Sequence, residues 1–383
     1  TVGDFDTRSF PIPEGLRTGI TEALGAGETN YPPSDGMLSL RSAVRDFYRR
    51  RLGLDYPLES FIITGGARPA IYATYQVLVS PGDTVVYPIP SWNNNHYCQL
   101  TGARAETVLC RAEDAFLPTR ALLEGRLSGA RLLSLCSPLN PTGTAFTPEA
   151  LAGICDLVLE ENARRGPTER PLFLMYDQVY WMLTLGQTAH VNPVSLRPEM
   201  APYTIFVDGI SKALAATGVR VGWCVAPPDV APSMSNVLGH VGAWAPRAEQ
   251  VATAAFLNDD HAIDEYHTGM MREVEGRLGL LYEGFKSMRE AGLPVDVIPP
   301  TGAIYLSVRF GAIGRQTPNE ETLTTNEAIR RYLLEQAHAA VVPFQAFGAT
   351  EQNGWFRLSV GAIGESEILA MLPKISSALA ALT

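Results

Sequence analysis

Among charged residues this sequence is shortest of lysine, with three in 383 residues: Lys212, Lys286 and Lys374. Basic charge is scarce as a whole, 30 Lys and Arg against 40 Asp and Glu for a formal net charge of −10. That balance argues against nucleic acid or an anionic membrane as the main partner. No run of about twenty apolar residues offers a membrane-spanning helix, and no basic-then-apolar leader opens the chain. Since the first residue is Thr1, an initiator methionine at least is expected to have been removed or left out. Cysteine is sparse too. Cys98, Cys110, Cys136, Cys155 and Cys224 are odd in number and widely spaced, mostly within apolar patterns. They form neither a disulfide framework nor a zinc spacing, and buried thiols in a reducing cytoplasm are expected.

What remains is ordinary globular material, 46% hydrophobic and 18% charged. The length exceeds one small core, so a large domain over 27–265 and a smaller one built from 1–26 and 266–383 are expected. Short apolar strands alternate with helices. Phe61–Thr64, Thr84–Tyr87, Ala130–Cys136, Leu172–Tyr176, Tyr203–Val207 and Val219–Val225 read as strands, several of them continuously apolar as when both faces are covered. Leu38–Leu52 has helical spacing and ends at Gly53; Thr147-Pro148-Glu149 is a helix start with an N-cap threonine. After Pro246 a long helical region runs to about Gly292. Two short strands follow, then a helix Glu327–His338 with Asn326 as its expected N-cap, a strand Trp355–Val360 and a terminal helix. The implied fold is α/β: a mostly parallel sheet with helices on both faces, plus a smaller α+β domain.

Ligands of open α/β sheets bind at the carboxyl ends of the strands, and here those ends carry polar residues. Thr64 leads to Gly66-Ala67-Arg68 at a helix start, whose free amides suit a phosphate. Cys136 leads to Ser137-Pro138-Leu139-Asn140-Pro141-Thr142-Gly143, and Tyr176 leads to Asp177 and Tyr180. Val207 leads to Gly209-Ile210-Ser211-Lys212. A desolvated lysine loses its ammonium form more readily and can attack a carbonyl. Each signal also has a plain structural reading, since Asn-Pro-Thr-Gly makes a good turn, Asp177 can cap a helix and Lys212 can close a turn. Four on successive strand ends are harder to assign to chance. No zinc spacing, phosphate loop or nucleophile elbow competes.

These residues resemble the class I/II aminotransferases, the aspartate aminotransferase-like branch of fold-type I enzymes that use pyridoxal 5′-phosphate (PLP). The resemblance runs from about Tyr31 to the C-terminus. It implies that Lys212 forms the covalent link to PLP, with Ser211 beside it, and that Asp177 pairs with the pyridine nitrogen. Asn140 and Tyr180 are similar to the pair on the ring hydroxyl, and Trp92 to the aromatic stacked on the ring. Arg220, eight residues after Lys212, is similar to the phosphate-binding arginine, together with the amides of Gly66, Ala67 and Arg68. Tyr31 resembles a tyrosine that reaches the cofactor phosphate of a neighbouring subunit, which implies a homodimer with shared active sites. Arg357 resembles the arginine that grips a substrate α-carboxylate through two hydrogen bonds, with Gly36, Asn140 and Trp92 also at the substrate. No metal is implied.

Two departures from that pattern bear on specificity. Gly209 stands where many members carry a hydroxyl, so a phosphate contact is expected to be absent or supplied by Arg68. No basic residue for a distal carboxylate is evident; His96, Gln99 and His240 are the nearest candidates, and Trp244 is the aromatic expected at the pocket wall. The implied activity is amino transfer between an L-amino acid, aspartate-like favoured, and a 2-oxo acid such as 2-oxoglutarate. A PLP-dependent lyase, decarboxylase or oxidase would share Lys212, Asp177 and Arg220, and a ligand-binding regulatory domain is the remote alternative.

Overall fold

The computed structural model describes residues 3–383. Eleven strands fall into two sheets among the described residues. The larger contains β1 (Phe61–Thr64), β2 (Thr84–Ile89), β3 (Arg104–Leu109), β4 (Ala130–Cys136), β5 (Phe173–Asp177), β6 (Thr204–Gly209) and β7 (Gly222–Val225) in the order β1-β7-β6-β5-β4-β2-β3. β2 through β6 run parallel, while β7 is antiparallel to both β6 and β1. The central strands are buried along their length because helices cover both faces, the condition their continuous apolar runs require. β3 is the edge strand, largely exposed, and its polar composition is why the apolar pattern overlooks it.

The smaller sheet joins β8 (Val295–Val297), β9 (Tyr305–Phe310), β10 (Val342–Pro343) and β11 (Trp355–Ser359) in the order β10-β11-β9-β8, all antiparallel. Its core collects Phe285, Phe310, Phe356 and Ile375, and also Phe5 and Phe10 from the N-terminal segment. The Asp6 amide donates to the Gly361 carbonyl at 2.8 Å, tying that segment to the end of β11. The next helix, Glu14–Gly25, instead buries Leu16 in the core of the large sheet and packs on Arg247–Leu257.

Local signals mostly hold. Thr147 caps the helix Pro148–Arg165, its hydroxyl accepting from the Ala150 amide at 3.2 Å. The helical stretch after Pro246 is two helices, Arg247–Leu257 and Asp260–Glu290, divided where the Asp259 carboxylate caps the second by accepting from Ala262. Asn326 is not an N-cap. Thr325 takes that role through the Ala328 amide, while Asn326 turns inward to Gln345 and the Gly354 amide. The expected strand Val219–Val225 forms only from Gly222, because the preceding residues turn Arg220 into place with φ +62°.

Candidate active site

The carboxyl ends of β4, β5 and β6 open onto a cavity of about 390 Å³ whose opposite wall comes from β9 and β11 of the small sheet. Asp177, Tyr180, Ser211, Lys212, Arg220, Ala67, Arg68, Trp92, Asn140 and Arg357 all line it. Residues spread over nearly three hundred positions therefore meet in one place. Among the described residues, no cluster of His, Cys, Asp or Glu gathers as a metal site.

Lys212 follows the end of β6 in a single helical turn, Ile210–Ala213. Burial lowers its ammonium to about 8, helped by the charges of Arg357, Arg68 and Arg220, while Asp4 opposes the shift. Its Nζ donates to the Gly3 carbonyl. Asp177 ends β5, with Oδ1 accepting from the Val179 amide at 3.1 Å; burial raises its carboxyl to about 6, against the pull of that amide and of Lys212. A carboxylate so placed is under-compensated, and a cationic ring nitrogen would complete it.

On the same side, a helix start and an arginine form an anion cradle. The helix Ala67–Leu78 begins with no side-chain cap, leaving its first amides without an intrahelical partner. Arg220 reaches the same end, donating to the Gly65 carbonyl at 2.8 Å and the Thr217 carbonyl at 2.7 Å. Its left-handed backbone is uncommon for arginine, a strain typical of functional positions. Close backbone approach makes the cradle possible: a Cβ on Gly222 would lie 2.8 Å from the Ala67 nitrogen, and one on Gly209 would lie 2.7 Å from the Gly222 Cα. Gly209 thus has no room for a hydroxyl-bearing side chain; the sheet is too tight there.

Arg357 sits on β11, 4% exposed, with Nη1 donating to Asn140 Oδ1 at 2.9 Å. Its guanidinium lies between two rings, 4.6 Å from the centroid of Tyr305 and 4.8 Å from that of Phe347. Tyr180 shares a 2.6 Å hydrogen bond with Tyr305. Arg68 rests against Trp92, 5.5 Å from the ring centroid.

Some expected residues lie elsewhere. Gly36 is outside the cavity, where its φ of +95° and its closeness to Ile63 leave no space for a side chain, so its need for glycine is structural. Tyr31 is also outside its own chain's cavity, 82% exposed and edge-on to Trp244 at 5.3 Å. Trp244, His96, Gln99 and His240 do not line the cavity. Gly3, Asp4, Cys136, Thr217 and Tyr305 do, and were not anticipated. Cys136 was visible as the last residue of a strand; Gly3, Asp4 and Tyr305 carry no local signal.

The whole chain was compared with known proteins. The family model for aminotransferase class I and II matches residues 1–374. An aspartate aminotransferase of Rhizobium meliloti is 30% identical over 381 residues, covering 98% of this chain and 86% of the relative. The bifunctional aspartate aminotransferase and glutamate/aspartate-prephenate aminotransferase of Petunia hybrida is 30% identical over 379 residues, covering 98% and 74%. Among solved structures, the Rhizobium meliloti aspartate aminotransferase superposes with a TM-score of 0.90 at 27% identity, covering 100% of this chain and 91% of that one. The aromatic aminotransferase from Pyrococcus horikoshii gives 0.87 at 26%, covering 99% and 94%. A seven-stranded sheet with a lysine turn at the end of β6, matched in sequence and shape along its full length, makes this chain a member of the class I and II aminotransferases.

Proposed function

We propose that the chain binds PLP at Lys212 and transfers an amino group between an L-amino acid, aspartate-like favoured, and a 2-oxo acid such as 2-oxoglutarate. The observation that carries this is the buried Lys212 sharing one cavity with the Asp177 carboxyl and the Arg357 guanidinium. The residues fit the cofactor. Asp177 offers an under-compensated carboxylate for the pyridine nitrogen, the Ala67 and Arg68 amides with Arg220 suit the phosphate, and Trp92 supplies a ring face. When bound, PLP supplies an electron sink for the pair of electrons released at the substrate α-carbon.

The protein's own groups do the rest. Arg357 holds the α-carboxylate, with its plane fixed by Asn140 and the two flanking rings. Lys212 Nζ, close to neutrality near pH 8, takes the α-proton and returns it on the other side of the exchange. Tyr180 and Asn140, both on the cavity wall, would hold the ring oxygen. Arg68, Lys212, Arg220 and Arg357 outnumber Asp4 and Asp177 around the cavity, a surplus that suits a phosphate together with an acidic substrate. The names of the aspartate aminotransferase relatives support the aspartate-like preference.

A homodimer with shared sites is part of the proposal. It is supported by Tyr31, held by Trp244 on the surface and away from its own cavity. The proposal also divides the chain into a large domain, 27–265, and a small one, 1–26 with 266–383; the two sheets support that division, but the helix Glu14–Gly25 packs on the large body and not on the small one. The five free cysteines fit a reducing, cytoplasmic setting. The test is reduction of the PLP-loaded protein with borohydride, followed by peptide mapping and a screen of amino donors against 2-oxoglutarate. Label on Lys212 and activity with acidic donors are expected. Label on Lys286 or Lys374, or none at saturating PLP, would sink the proposal.

A further inference from the structure

Two phenol oxygens lie 2.6 Å apart in the wall of the cavity, and neither ring reaches bulk solvent: Tyr180 is 3% exposed and Tyr305 0%. The pair bridges the two sheets, Tyr180 coming from the loop after β5 and Tyr305 opening β9. In such a pair one hydroxyl donates and the other accepts, and the acceptor keeps its own proton for a third group. Either oxygen can be the donor, and their surroundings differ. The Tyr305 hydroxyl is closed off behind Gly3, where any side chain would collide with it. Both rings line the cavity, but it is the Tyr180 ring that has Lys212 Nζ 5.8 Å from its centroid. The same Tyr305 ring forms one face of the Arg357 sandwich.

We infer that Tyr305 is a positioning residue for amino transfer: its hydroxyl donates to Tyr180, aiming the Tyr180 proton into the cavity, and its ring holds the plane of Arg357. This rests on the reading above, in which Lys212 carries the cofactor and Tyr180 donates to the ring oxygen. The groups facing the pair are Arg357 from β11, Cys136 from β4, Asp4 from the N-terminal segment and Lys212. Burial keeps both phenols protonated at working pH. A hydroxyl that accepts from one neighbour is a stronger donor to the next, so chained hydrogen bonds reinforce one another. Through Tyr180, the Tyr305 hydroxyl therefore stabilises negative charge on the ring oxygen. It lowers the pH at which the bound cofactor's absorbance band changes.

The experiment titrates that band against pH in the PLP-loaded wild type and in Tyr305→Phe, Tyr180→Phe and the double variant, and measures kcat and KM for each. Tyr305→Phe should raise the midpoint by about half to one pH unit and lower kcat about tenfold, the scale of one hydrogen bond. Its KM should stay within about twofold, because the ring remains on Arg357, whereas Tyr305→Leu should also raise KM several-fold. Acting through Tyr180, the Tyr305 change should add nothing to Tyr180→Phe. An unchanged or lowered midpoint in Tyr305→Phe, or a double variant whose shifts simply add, overturns the inference. Should Tyr305→Phe not fold, 3-fluorotyrosine at position 305 keeps the shape and donates more strongly; the midpoint should then fall, and no movement overturns the inference. Failure of the underlying reading looks different, as a wild type with no pH-dependent cofactor band or no label on Lys212.

Discussion

Lys212 carries a cost that can be measured without any substrate. Its ammonium titrates at about 8 in the folded chain against an ordinary 10.5, chiefly through burial. Between those values the unfolded chain holds a proton that the folded chain has released. Stability of the cofactor-free protein therefore rises with pH through that window, and the full cost is present below about 8. We predict that Lys212→Met removes this rise and stabilises the cofactor-free protein at pH 7 by on the order of 3 kcal/mol. Urea titrations at pH 7 and 10 on both proteins check it; an unchanged wild-type slope refutes it. Asp177 has the opposite sign. Its carboxyl is raised to about 6, so the folded chain keeps a proton that the unfolded chain has lost, and stability falls as pH climbs from about 4 to 6. Asp177→Asn should flatten that fall, retain PLP and lose most turnover. Near wild-type turnover in Asp177→Asn would reduce Asp177 to a structural turn residue.

At the scale of elements, the cavity depends on how closely β6, β7 and the start of the helix Ala67–Leu78 approach. Gly209 and Gly222 permit that approach, and the atoms in the way are backbone, which cannot give. Gly209→Ala should therefore destabilise by about 1–3 kcal/mol and weaken PLP binding, since it pushes β6 away from the cradle. A thermal midpoint equal to wild type would show the sheet to be softer than the packing implies. β11 offers a complementary test. Arg357 binds through a planar fork held between two rings, which a lysine point charge cannot reproduce. Arg357→Lys should raise KM for both amino acid and oxo acid, costing about tenfold to a hundredfold in kcat/KM, with PLP retained. Unchanged kinetics of both half-reactions would place the carboxylate anchor elsewhere.

For the whole molecule, the question is whether one chain makes a complete site. Tyr31 projects from the surface on a loop braced by Trp244, away from its own cavity. If it completes a partner's site, two inactive chains, Lys212→Ala and Tyr31→Ala, should recover activity when mixed. Each hybrid then holds one intact site, so up to about a quarter of wild-type activity is expected for random pairing of equal amounts, by counting sites. No recovery in verified heterodimers returns Tyr31 to a role within its own chain.

The sequence by itself determined the architecture and one wall of the site. Strand ends are local features: an apolar run must stop where the chain leaves the sheet, so Asp177, Asn140, Lys212 and the Gly66-Ala67-Arg68 turn were readable in place. Arg357 could be read too, but only through family likeness, because a lone arginine in a strand says nothing of what it faces. Tertiary structure alone decided the opposite wall. Tyr305 looks like any core aromatic of an edge-to-centre strand, and Gly3 and Asp4 like the start of a loose N-terminus, until β9 and the N-terminal segment are folded against β5 and β6. The same limit applies to Gly36, whose closeness to Ile63 only the folded chain shows. Periodicity and turn chemistry act over a few residues, whereas a cavity between two sheets is set by contacts that span most of the chain.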